Sequence, residues 1–310
     1  MLSRVADSVF WMARYLERTD NLLRVLRTDY IASQDELVDY NWQLLADTFG
    51  DVPKQKMSMS SYRDALHHLV LSRQHESSVF NNIVRVRENA RSVQDYITKE
   101  LWQSLNDYYH RVRDPQTESL INRNDPVTAF DILLRESIIF YGTVDVTMSR
   151  GEGYTFLNLG KYLERALQSI DTLEFKRTQM AKSDNESIYW KYLLYALSGY
   201  EFHTKFYKNA LQTEEVIHQV LYNLQFPHSV GYSLAQMDRY FQRLKDFSHP
   251  SHFTEIDQLM KQLISTIQEY QKEKGASVIE KLIPDLRLQF TNLNNRLATL
   301  YFGYPSIVTS

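Results

Sequence analysis

Tyr15-Leu16-Glu17-Arg18-Thr19 returns later in the chain as Tyr162-Leu163-Glu164-Arg165-Ala166. The likeness reaches beyond the shared Glu-Arg pair into the apolar frame. Val9, Met12, Leu16, Leu23 and Leu26 answer to Phe156, Leu159, Leu163, Ile170 and Leu173 at one constant offset. In the first copy, Leu2, Val5, Val9, Met12, Leu16, Leu23, Leu26 and Tyr30 recur in steps of three and four, the period of one face of an α-helix. Phe10, Trp11 and Val25 lie on the other side, among Arg14, Glu17, Arg18 and Asn21. A helix that is apolar on several faces is a central one, so Glu17 and Arg18 are expected to be at least partly buried. Two copies of such a helix predict two related halves, with the two Glu-Arg helices in contact.

The rest of the chain fits an all-α reading. Nine Gly and seven Pro among 310 residues leave long stretches without punctuation, which favours helices over turns. Ser3 is a good N-cap for the first helix. A second is expected over 35–49, followed by a loop at Gly50-Asp51-Val52-Pro53. Ser61 and Asp64 have capping-box spacing. One helix is expected over 79–109, and Asp125-Pro126 opens another that runs to about Met148. Gly151-Glu152-Gly153 breaks the chain before the second Glu-Arg helix, which should end near Lys182. Ser183 and Glu186 again have capping-box spacing, ahead of an aromatic stretch from Tyr189 to Leu211. Thr213-Glu214-Glu215 starts a helix, Phe226-Pro227-His228-Ser229 forms a turn before the next, and His249-Pro250-Ser251 precedes a helix over 255–274. Ser277 with Glu280 caps the last one, which Pro284 kinks or restarts and which ends near Tyr301. No segment alternates convincingly as a strand. The expected architecture is a single all-α domain over 1–310, a multi-helix bundle of two related halves, about 1–150 and 151–310, around the two central Glu-Arg helices.

Composition excludes several functions. The chain has no cysteine, which removes disulfides and thiolate chemistry. A net charge of −3 gives no broad field for nucleic acid. Arg4, Asp7, Arg14 and Glu17 interrupt any signal-peptide core, and no uninterrupted apolar run approaches the roughly 20 residues that span a bilayer. A cytoplasmic protein with no membrane association is expected. The nine histidines show no His-Glu-x-x-His and no His-x-x-x-His, and the single Glu-x-x-His, Glu215 to His218, has no second copy for a facing helix, so no metal is expected. No Gly-rich phosphate loop and no nucleophile elbow occur, and no cofactor is expected.

Ser3-Arg4-Val5-Ala6, followed by Trp11-Met12-Ala13-Arg14-Tyr15-Leu16-Glu17-Arg18, resembles the opening of the bacterial alpha-E family, named for its helical fold and Glu-Arg motif. Arg87-Glu88-Asn89-Ala90-Arg91 with Trp102 downstream, Phe156 through Arg165, and Phe226-Pro227-His228-Ser229-Val230 are similar to later family segments. Lys161 departs from the pattern, standing where the family usually has Arg. The resemblance implies a setting rather than a reaction. Family members are encoded beside, or fused to, circularly permuted ATP-grasp proteins, with transglutaminase-like proteases nearby. That company implies the synthesis or modification of a peptide or amide.

Two functions follow. One is a helical accessory or partner protein of an ATP-grasp-type ligase, with a polar centre that binds a small anionic or peptide ligand. The alternative is an enzyme of the same pathway acting on a peptide or amino-acid-like substrate. The candidate centre comprises Arg14, Glu17, Arg18, Arg87, Glu88, Asn89, Arg91, Glu164 and Arg165. Adjacent residues point about 100° apart on a helix, so Glu17 does not pair with Arg18. Pairing across the repeat, Glu17 with Arg165 and Glu164 with Arg18, is the economical arrangement. Such pairs either fix helix register or hold a carboxylate or phosphate. Arg87 and Arg91 share a face, with Asp95 a further turn on; that set is either a solvated face or part of the same centre. Sealed carboxylates favour the partner, and carboxylates lining an open cavity favour the enzyme or ligand site.

Overall fold

A computed structural model describes residues 1–34, 40–50, 59, 61–122, 125–181, 185–208, 211–273 and 276–305, with the backbone alone for 276 and 277. Fourteen α-helices and no strand occur among them, as the sparse Gly and Pro imply.

The helices fall into two units, each drawing on both halves of the chain. The first takes Met1–Arg14, Ser149–Ile170 and Ile217–Ser310, and the second takes Tyr15–Met148 and Asp171–Val216. The repeated helices, α1 (Ser3–Ala32) and α8 (Glu152–Met180), each give their first turns to the first unit and their remaining turns to the second.

In the first unit, α12 (Val230–Phe241) packs on α13 (Pro250–Tyr270), and α13 packs on α14 (Ala276–Tyr301). Ser229 caps α12 by accepting from the Tyr232 amide at 2.8 Å, and Pro250 sits at the start of α13. Pro284 neither ends nor restarts α14, which is continuous through it. Phe10 packs on Phe302, and Phe241 stacks on Phe253 with centroids 4.9 Å apart. Gly160 of α8 lies against the Phe10 carbonyl of α1 so closely that a Cβ there would meet the carbonyl carbon at 3.0 Å. Only glycine permits that approach.

In the second unit, α5 (Lys99–Val112) packs between α4 (Val79–Ser92) and α7 (Pro126–Thr147). The single helix expected over 79–109 is two. The chain leaves α4 at Val93, passes a short 3-10 turn at Gln94–Tyr96 and turns extended at Ile97. Thr98 then caps α5 from the Leu101 amide at 3.2 Å. Apolar spacing continues through this break because Val93 is still buried, which is why periodicity alone runs over it. With Asp95 off the helix, the expected turn-by-turn relation to Arg91 is lost. The expected helix over 35–49 begins only at Trp42, as α2 (Trp42–Phe49), with Asn41 as its cap; residues 35–39 and 51–58 lie outside the described residues. The Ser61–Asp64 capping box and the Asp125-Pro126 start are both present. Residues 182–184, and with them the Ser183 cap, lie outside the described residues, as does the Ser277 side chain. The aromatic stretch after α8 is two helices, α9 (Glu186–Ala196) and α10 (Tyr200–Phe206), joined at Ser198, whose φ of 53° is left-handed. Tyr189, Trp190 and Tyr192 are core, whereas Tyr195 and Phe206 are exposed.

The first repeated helix is buried on several faces, as its composition implies. Val9, Met12, Leu16, Leu23 and Leu26 are sealed, and so are Phe10 and Val25 from the other side; Leu2 is exposed. Among the described residues no helix is long and apolar enough to cross a membrane.

Candidate functional site

Each unit holds a buried charged centre between α1 and α8. In the first unit, Arg14 donates from Nε to Glu164 Oε2 at 2.7 Å and from Nη1 to Asn294 Oδ1 of α14 at 2.6 Å. Gln168, one turn further along α8, donates to Glu164 Oε1 at 3.0 Å. The Arg14 guanidinium lies over the Trp11 ring at 4.4 Å, a desolvated cation–π contact. Arg14 is 6% exposed and Glu164 1%. Both carboxylate oxygens are thus engaged and sealed. A carboxylate so placed can orient a cation, but it offers no acid or base to a ligand in solution.

Within the first unit, the guanidinium on Glu164 is Arg14, at 2.7 Å. Arg18 is half-buried beside the Tyr15 ring. Arg165, on the first unit, donates to the Pro227 carbonyl at 3.4 Å and lies over Tyr162. Burial raises the Tyr162 hydroxyl well above its ordinary pKa, against the opposing pull of Arg165.

In the second unit, Glu17 is 2% exposed and accepts from the Tyr141 hydroxyl of α7 at 2.6 Å. Further along, Lys176 of α8 donates to Asp29 of α1 and to Gln179 Oε1 at 3.1 Å. The Tyr40 hydroxyl closes the other side of Asp29 at 2.6 Å. Burial and the Asp29 charge push the Tyr40 pKa well above its ordinary value, so this hydroxyl stays a donor. Asp29 is fully buried and Lys176 1% exposed. Asn21 and Thr172 hydrogen-bond between the two centres' ends of this unit at 3.3 Å. In each unit, later positions on α1 meet later positions on α8, so the two helices run parallel: Phe10–Gly160 then Arg14–Glu164, and Asn21–Thr172 then Asp29–Lys176.

The 87–91 set sits on α4 against α5. Arg87 donates from Nε to Asn106 at 2.8 Å and lies over Tyr109 at 4.7 Å and Trp102 at 5.5 Å. Glu88 is exposed and stands 3.2 Å from Arg87 and 3.9 Å from Arg91. Asn89 is half-buried and accepts from Ser92 through its carbonyl at 2.8 Å. It is Arg85 rather than Arg87 that reaches α1, lying over the Tyr15 ring at 5.4 Å.

Sequence reasoning missed Gln168, Asn294, Tyr141, Tyr40, Asp29 and Lys176. One signal for the last two was present. They lie 147 residues apart, the same offset that relates Tyr15 to Tyr162, so they occupy equivalent positions on the two repeats. Opposite charges at equivalent positions of two parallel helices face each other.

Among the described residues, no group of three or more His, Asp or Glu side chains is placed to hold a metal ion. Residues 1–302 match the model of a family described as a predicted alpha-helical domain with a conserved ER motif. No curated protein matches the chain, and no solved structure does.

Proposed function

We infer that this chain, which belongs to the Alpha-E family, is a non-catalytic helical partner of an ATP-grasp-type ligase in the synthesis or modification of a peptide or amide. The observation that carries the choice of partner over enzyme is the state of the two motif carboxylates. Glu17 and Glu164 are 2% and 1% exposed, and each is held by donors from its own unit. An enzyme using either as its acid or base needs a carboxylate within hydrogen-bond reach of a substrate. A partner needs a rigid scaffold, and buried charge pairs that fix helix register supply one. The ligase itself enters through the family resemblance of Arg87-Glu88-Asn89-Ala90-Arg91 and the two Glu-Arg segments. We place the pair in the cytoplasm, where an ATP-consuming ligase works.

The test is co-expression with a circularly permuted ATP-grasp protein of the same genome, followed by sizing chromatography. Co-elution at micromolar concentration is expected. Independent elution overturns the stable complex, and turnover of a peptide or amide by the chain alone, lost in Glu164→Gln, overturns the non-catalytic assignment.

A further inference from the structure

We propose that the second unit carries a binding site for a carboxylate attached to a large apolar group. The site is a cleft of about 390 Å³ between α1, α7 and the α9–α10 turn. It shares no residue with the Arg14–Glu164 centre.

One side of the cleft is cationic and pre-set. Arg24 is held by Asp20, which is buried, and donates from Nη1 to Ser198 Oγ at 3.0 Å. Arg27 donates from Nε to Asp131 at 2.6 Å. Arg135 lines the same cleft one turn beyond Asp131 and has no hydrogen-bond or ion-pair partner among the described residues. Ser198 accepts from Arg24, which leaves its own proton to donate. Its φ of 53° is a conformation that non-glycine residues adopt at a cost, and such outliers gather at ligand sites.

The other side is apolar. Leu134, Ile138 and Tyr195 line it, with Ile138 71% and Tyr195 43% exposed. Three guanidiniums against Asp20 and Asp131 leave one net positive charge, which matches a monoanion and disfavours a dianion such as phosphate. The guanidinium fork fits a carboxylate with two parallel N–H···O bonds. Leu134 and Ile138 then offer the carboxylate's apolar group a surface to leave water against. The same chemistry is presented by a free N-acylated amino acid and by the C-terminus of a peptide.

Titration calorimetry tests this on the full chain with N-acetyl-L-phenylalanine, its C-terminal amide, a tetrapeptide ending in phenylalanine and inorganic phosphate. Saturable binding of the two carboxylates is expected, with the amide at least about tenfold weaker, equivalent to about 1.4 kcal/mol. Tighter binding of the tetrapeptide identifies a peptide terminus as the natural source, and equal binding identifies the free acid. Arg135→Ala, at an exposed position that leaves the fold intact, is expected to weaken the carboxylates about tenfold, with Arg135→Lys recovering part of the loss. Absence of saturable carboxylate binding, equal binding of the amide, tighter binding of phosphate, or indifference to Arg135→Ala overturns the proposal.

Discussion

Gly160→Ala separates two opposed expectations. Alanine is the better helix former by about 0.8–1.0 kcal/mol, so on propensity alone the substitution stabilises α8. The packing says the reverse. The new Cβ lies 3.0 Å from the Phe10 carbonyl carbon, 3.2 Å from its Cα and nearer still to its oxygen. All three are backbone atoms, so no side chain can swing aside. Restoring separations near 3.5 Å requires α1 to move by roughly an ångström. That movement falls one turn from Arg14 and Glu164, whose 2.7 Å bond sits four residues further along both helices. Overpacking of this kind costs about 1–3 kcal/mol, and stretching a buried charge-assisted bond adds to it. Set against the propensity gain, the net expectation is a loss of about 1–2 kcal/mol, read as a lowered urea midpoint at unchanged slope. A variant as stable as the parent, or more so, refutes the close approach of the two helices.

Two further outcomes follow from the second unit. Lys176→Met leaves Asp29 buried without its cation and should cost about 3–5 kcal/mol in urea unfolding, while the double change with Asp29→Leu should recover much of that; a cost under about 1 kcal/mol for the single change counts against a buried pair. His68 stacks on His75 at 4.2 Å with planes 6° apart, and burial, then the neighbouring His67, hold its pKa below the ordinary value. A histidine whose folded pKa is lowered binds more protons unfolded, so its stability contribution is full above about pH 6.5 and shrinks as pH falls below it. The chain should therefore unfold at lower urea at pH 5.5 than at pH 7.5, and His68→Gln should narrow that gap; an unchanged gap contradicts the reading.

The helical class and the two central helices were legible because burial on several faces leaves a mark in composition: Phe10 and Val25 opposite Val9 and Leu26. Caps were legible at Ser61 and Asp125, where capping-box spacing or a following Pro marks the start; Asn41 and Thr98, inside expected helices, were not. Breaks inside apolar runs were not. Val93 and Leu197 are both buried at the ends of their helices, so the hydrophobic period carries across the chain's change of direction. Partners were the least legible. Asn294 lies 280 residues from Arg14, and no local pattern connects them. The repeat marked Glu17 and Glu164 as charges that need partners, but nothing in the motif pointed to Arg14 as the guanidinium that meets Glu164 within the first unit.

The most direct measurement of the account is a double-mutant cycle on Arg14 and Glu164, with Arg14→Met, Glu164→Gln and the pair together followed by urea unfolding. A sealed structural lock predicts that each single change costs about 3–5 kcal/mol and that the double change costs clearly less than their sum. Single costs under about 1 kcal/mol that simply add would contradict it, and would return Glu164 to the role of a ligand or catalytic group.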